Sequence, residues 1–111
     1  MADLGYVTER EDILAIFQAG VRAVQGRAAV SGALASGLSG KWHLLAIGKA
    51  AASMAEGAVD ILGTQLVDGM VVSKTGHFDG VELDDRFRCL EAEHPVPGAG
   101  TIAAGKAVLE Y

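Results

Sequence analysis

The sequence predicts an α/β protein built on an open parallel sheet flanked by helices. Three observations carry that expectation. Two short apolar runs, "KWHLLAIG" at 41–48 and "GMVVSK" at 69–74, flank an alanine-rich helical pattern, the strand–helix–strand order of a parallel unit. Fifteen glycines are scattered through the chain, too many for a helical bundle and well suited to tight strand-to-helix turns. Half of the residues are hydrophobic but only 5% are aromatic, so the core must come mainly from Ala, Val, Leu and Ile. At 111 residues the chain is long enough for one domain.

Taken in order, the elements are these. Thr8 and Glu11 form the S/T-x-x-E pattern of a helix start. Ile13, Phe17, Val21 and Val24 then recur at helical spacing, with Leu14 and Ile16 widening the stripe, so an amphipathic helix is expected over about 9–25. "GRAAVSGALASGLSG" continues as a short helix or a loop. The first strand is 41–48, with Trp42 packed at its start. A helix follows in "KAAASMAEGAVDILG", with Ala51, Met54, Ala55, Ala58, Val59 and Leu62 on its inner face and Gly63 placed to end it. The second strand is 69–74. "TGHFDGVELDD" is turn-rich and reads as a loop, and "RFRCLEAE" at 86–93 reads as a third strand. Pro95 and Pro97 keep "HPVPGAG" out of regular structure, and either proline can follow a cis bond. A last helix is expected from Thr101.

Composition excludes several classes. Net charge is -5 and no basic stripe is present, which argues against nucleic acid. The single cysteine, Cys89, rules out an internal disulfide and reads as a small core residue of its strand. No signal peptide is visible, and no apolar run approaches the ~20 residues that span a bilayer. The expectation is a soluble cytoplasmic protein with no membrane partner. The histidines are too far apart for a local zinc pattern, so no metal ligand is assigned.

In open α/β sheets, ligands bind beyond the carboxyl ends of the strands. Three polar connections leave strands at that edge. In the first, Gly48 allows a tight turn and Lys49 precedes a helix N-terminus, which together suit a phosphate or carboxylate. It is not a Walker A loop: position 43 is histidine rather than glycine, and Ala50 stands where Ser or Thr is required. The alternative is a plain turn with a solvated lysine, although a cation is disfavoured at a helix N-terminus. In the second, Lys74, Thr75 and His77 surround Gly76; chemistry alone reads this first as an exposed turn. In the third, Pro95 and Pro97 stiffen the loop and fix the direction of His94. "GAGTIA" at 98–103 matches G-x-G-x-x-A, but prolines intervene between it and the strand, so it reads as a helix start made of small residues.

Taken together, "LLAIGKAAASMAEGA", "GMVVSKTGH" and "EAEHPVPG" resemble the N-terminal region of the type II glycerate kinases (glycerate 2-kinases). The likeness runs from about Thr8 to Tyr111. It implies a Rossmann-like domain, here incomplete, with residues 1–111 forming its N-terminal part and a C-terminal domain absent. It implies transfer of the γ-phosphoryl group of ATP to the 2-hydroxyl of D-glycerate with Mg2+. The functional lysine would be Lys49, with Gly48, Ala50, Lys74, Gly76, His77, His94 and Pro95 binding substrate or phosphate. One departure stands out: Gly98 occupies a place where the family usually has an acid. The chain on its own is expected to be inactive, because a cleft with one wall neither excludes water nor aligns two substrates. A sheet of three strands leaves an unpaired edge and apolar faces, so a homo-oligomer is expected. The other readings are a fragment of a hydroxypyruvate reductase-type NAD(P)H enzyme and a non-catalytic association module.

Overall fold

A computed structural model describes residues 3–111, with side chains described from Val7 onward. The elements are α1 (Asp3–Ala23), α2 (Gly26–Ala33), β1 (Trp42–Ile47), α3 (Ala51–Leu62), β2 (Leu66–Lys74), β3 (Phe87–Ala92) and α4 (Ala99–Glu110), with one 3₁₀ turn at Gly63–Gln65. The strands form one parallel sheet in the order β1-β2-β3.

The two faces of the sheet are covered differently. Side chains alternate along a strand, and β2 shows this clearly. Val71 is fully buried against Ala51, Ala52 and Ala55 of α3. Its neighbours Met70 and Val72 pack on the other face against Ala104 and Ala107 of α4. Alanine on both helices lets the helix axes approach the sheet closely, which explains a core with so few large residues. The β2–β3 connection contains no helix. Instead Phe78, Val81 and Leu83 from residues 75–86 pack on the α3 face.

α2 is clamped to α3. The Arg27 guanidinium donates to both carboxylate oxygens of Asp60 (2.7 and 2.9 Å) and to Glu56 (3.1 Å). Gly57 permits this approach, because a Cβ there would meet the Arg27 backbone carbonyl.

Several boundaries and burials differ from the sequence reading. α1 begins at Asp3, so Thr8 and Glu11 lie inside the helix rather than capping it. Its apolar stripe is exposed, with Ile16 at 72% and Phe17 at 66%, since α1 projects past α2 and no layer covers it. The radius of gyration is 18.2 Å, against the ~13 Å of a compact domain of this length. β2 starts three residues early, at Leu66, and α4 two residues early, at Ala99. Met54 and Trp42 are each 43% exposed, beside the uncovered edge of β1. Cys89 is exposed and not a core residue, because it lies on the outer strand where the α3 layer ends.

Candidate active site

The ends of β1, β2 and β3 are brought level by the parallel register, in which Ile47 pairs with Val72 and Lys74 with Ala92. The residues just past those ends therefore meet. Gly48 turns the chain out of β1 with φ +130°, a conformation open to glycine and strained for other residues. Its amide still donates to the Val72 carbonyl (3.0 Å), and its carbonyl accepts from the Ala51 amide (3.1 Å) as α3 starts. Lys49 is thereby fixed at the backbone. Its carbonyl lies 3.4 Å from the Ser73 hydroxyl and 3.2 Å from His77 Nδ1.

A cavity of about 230 Å3 opens at this rim, lined by Gly48, Lys49, Ser73, Lys74, Glu93 and His94 among others. His77 adjoins it through the Lys49 carbonyl. Ala50, Gly76 and Pro95 do not line it. Ala50 caps α3, Gly76 takes φ +83° with its amide on Glu91 Oε1 (3.2 Å), and Pro95 follows a cis bond from His94.

Charge in the cavity is unbalanced. Among the described residues, neither Lys49 nor Lys74 has a carboxylate within ion-pair distance. The lining carboxylate, Glu93, is turned away to α4. It accepts from the Gly100 amide (3.0 Å) and the Thr101 amide (2.7 Å), and the Thr101 hydroxyl lies 2.9 Å from it. Its own amide, that hydroxyl and those two amides hold its carboxyl down at about 2. Glu93 is thus ionised at neutral pH but spent on a helix start.

Glu93 was not singled out in the sequence. The signal was its spacing to "GAG": Cβ atoms at Gly98 or Gly100 would stand 2.9 Å from its carboxyl group. This gives Gly98 a reason of its own. It also bears on the dinucleotide motif, since Glu93 already occupies amides at the start of α4 where a pyrophosphate would sit. Among the described residues no group of three or more His, Cys, Asp or Glu could hold a metal ion, and no helix is long and apolar enough to cross a membrane.

The fold is that of an open α/β domain with a parallel sheet, and at the carboxyl ends of its strands stand two lysines, neither of them in an ion pair among the described residues. Known proteins specify it further. A family model described as a domain of unknown function, DUF4147, matches residues 12–111. The D-glycerate 2-kinase of Thermotoga maritima is 48% identical over 67 residues, covering 60% of this chain and 16% of that protein. The glycerate 2-kinase of Pyrococcus horikoshii is 40% identical over 72 residues, covering 65% and 15%. The crystal structure of glycerate kinase from Thermotoga maritima superposes with a TM-score of 0.81 at 37% identity, over 93% of this chain and 24% of that one. The chain belongs to the DUF4147 family and corresponds to the N-terminal region of glycerate kinases. It spans about a quarter of the length of that solved relative.

Proposed function

We propose that this chain is the N-terminal part of the large Rossmann-like domain of a kinase that transfers the γ-phosphoryl group of ATP to the 2-hydroxyl of D-glycerate. The observation that supports it is the pair of lysines, Lys49 and Lys74, lining one cavity without a carboxylate to neutralise them. In the reaction the glycerate 2-hydroxyl oxygen bonds to the γ-phosphorus, the bond to the leaving ADP oxygen breaks, and the hydroxyl proton is released. Catalysis of such a transfer is mostly positioning and charge stabilisation. Lys49, fixed by four contacts to the backbone atoms of Gly48 and Lys49, stabilises the phosphoryl group in flight. Lys74 and His94, which line the same cavity, hold phosphate or the glycerate carboxylate.

The residues fit phosphate better than they fit a metal. Mg2+, when bound with ATP, supplies charge to the phosphates, and the carboxylate lining this cavity is already committed to α4. The cavity is also smaller than the ~300–1,000 Å3 of complete ligand pockets. On this reading the chain alone supplies one wall and has no kinase activity of its own. Exposed Ile13, Ile16 and Phe17 on α1 give the isolated chain a surface for self-association.

The test is a pair of titrations followed through backbone amides. ATP with Mg2+ is expected to move Gly48, Lys49 and Lys74. NADH is expected to leave Gly100 and Thr101 in place. The purified chain given ATP, Mg2+ and D-glycerate is expected to form no phosphoglycerate. Movement at Gly100 and Thr101 with NADH, and none at Lys49 with ATP, would overturn the kinase reading in favour of a reductase.

A further inference from the structure

The peptide unit that carries Lys49 into the rim is held differently from those beside it. The Gly48 carbonyl accepts from the Ala51 amide (3.1 Å) and the Ala50 carbonyl from the Met54 amide (2.9 Å), as a helix start requires. The Lys49 carbonyl between them is met by side chains instead. The Ser73 hydroxyl donates to it from the end of β2 (3.4 Å), and His77 Nδ1 donates from the loop that follows (3.2 Å). A carbonyl oxygen only accepts, so Nδ1 carries the proton in this contact. Two things depend on it. An unmet carbonyl beside an anion cavity would turn its partial negative charge toward a phosphate. A carbonyl free to rotate also changes ψ at Lys49, and with it the direction of the side chain relative to the sheet.

The loop holds the imidazole in that place. Gly76 turns the chain at φ +83° and its amide donates to Glu91 Oε1 (3.2 Å), while the His77 amide donates to the Lys74 carbonyl (3.0 Å). On the other side of His77, Phe78 packs against the core cluster of Ala51, Ala52, Ala55 and Val71. His77 is thus pinned through both neighbours. It does not line the cavity, whereas Lys49, Lys74 and His94 do. Ser73 is buried at 3% exposure, but its contact is the longer of the two, so the histidine carries more of the hold on Lys49.

We propose that His77 is a positioning residue: by donating from Nδ1 to the Lys49 carbonyl it sets the direction of the Lys49 ammonium group, and it touches neither glycerate nor phosphate itself. Its effect on turnover rests on the phosphoryl-transfer reading; its hold on the Lys49 peptide does not. The two nitrogens of the ring can be tested apart. Asparagine places an amide nitrogen as many bonds from Cβ as Nδ1, and glutamine places one as far out as Nε2. His77→Asn therefore keeps the donor to Lys49 and loses whatever Nε2 does, and His77→Gln does the reverse.

Two measurements form the test. In this chain, labelling lysine at the carbonyl carbon and alanine at nitrogen isolates two peptide bonds, Lys49–Ala50 and Lys106–Ala107, the second a control inside α4. The Lys49 carbonyl signal is expected to move in His77→Ala and to return toward its parent position in His77→Asn, with the Lys106 signal fixed throughout. The second measurement uses a full-length glycerate kinase carrying residues 12–111 of this chain in place of its own matching region. There His77→Ala is expected to lower kcat about tenfold with KM for ATP and D-glycerate unchanged, less than the ~100-fold that a displacement of about 1 Å can cost, because Ser73 still holds the carbonyl. His77→Asn is expected to restore most of that loss, and His77→Gln none of it. Four results would overturn the proposal. One is a Lys49 signal that does not respond to His77→Ala. Another is turnover unchanged in His77→Ala. A third is KM rising while kcat holds, which would make His77 a substrate ligand. The last is recovery with His77→Gln but not with His77→Asn, which would put Nε2 on a ligand. Full turnover in Lys49→Ala would instead sink the phosphoryl-transfer reading and leave the carbonyl measurement standing. That measurement needs no activity and the kinetic one needs no isolated chain, so if either sample fails to fold the other decides.

Discussion

Gly48→Ala is the substitution that most sharply separates backbone from side-chain effects in this fold. A Cβ added at Gly48 would have no atom within 4 Å, so sterics with neighbours cost nothing. The cost lies in φ +130°, which a side chain rarely adopts. Holding a residue in such a region costs about 1–3 kcal/mol. In a small domain each kcal/mol shifts Tm by roughly 4–8 °C, so a fall of about 10 °C is expected. Gly105→Ala is the control. It too has nothing within 4 Å, but it lies inside α4 with ordinary helical φ. There alanine should stabilise by about 0.5–1 kcal/mol and raise Tm by a few degrees. Thermal unfolding followed by circular dichroism measures both. A neutral Gly48→Ala, or two variants that shift in the same direction, would refute the reasoning. The consequence for the site is direct, since relaxing φ at Gly48 breaks its bonds to Val72 and Ala51 and releases Lys49 from the rim.

Other substitutions test other joints. Gly57→Val puts a side chain against the Arg27 backbone, prises α2 from α3, and should cost about 1–3 kcal/mol in urea unfolding, whereas Gly20→Ala on α1 should not destabilise. Glu93 has a folded-state pKa near 2, below its unfolded value of about 4.3, so its contribution is present at neutral pH and lost as pH falls from about 5 toward 2. Glu93→Gln should therefore unfold more easily than the parent at pH 7, and the gap between the two should narrow by pH 3. A gap that does not change with pH would mean the carboxylate is not held by α4. Asp68 is also held below the usual carboxylate range, first by the Tyr111 hydroxyl and then by His43. Tyr111→Phe should raise the Asp68 pKa measured by side-chain NMR.

The sheet was legible because glycines punctuate it. Gly48 and Gly63 mark a strand end and a helix end by their positive φ, and the apolar runs between leave little ambiguity. The rim was legible because a parallel sheet gathers its exits at one edge, so Lys49, Lys74, His77 and His94 converge without any pairwise signal in sequence. The inner side of α3 was only half right: alanine spacing was clear, but nothing local says that Met54 faces an uncovered groove. The start of α1 was misread because Thr8 and Glu11 satisfy a pattern that five preceding residues can override by being helical. Cys89 looked like core because apolar neighbours do not reveal whether a strand is central or outermost. Glu93 was invisible as a cap because its partners lie seven and eight residues away, across a bend set by Pro95 and Pro97.

The most direct measurement takes a full-length glycerate kinase whose matching region is replaced by residues 12–111 of this chain, with lysine or alanine at position 49. Turnover with ATP and D-glycerate should fall by at least about 100-fold in the alanine form, while Tm stays within about 1 °C, because Lys49 is exposed. Equal turnover in the two forms would contradict the claim that this lysine carries the phosphoryl charge.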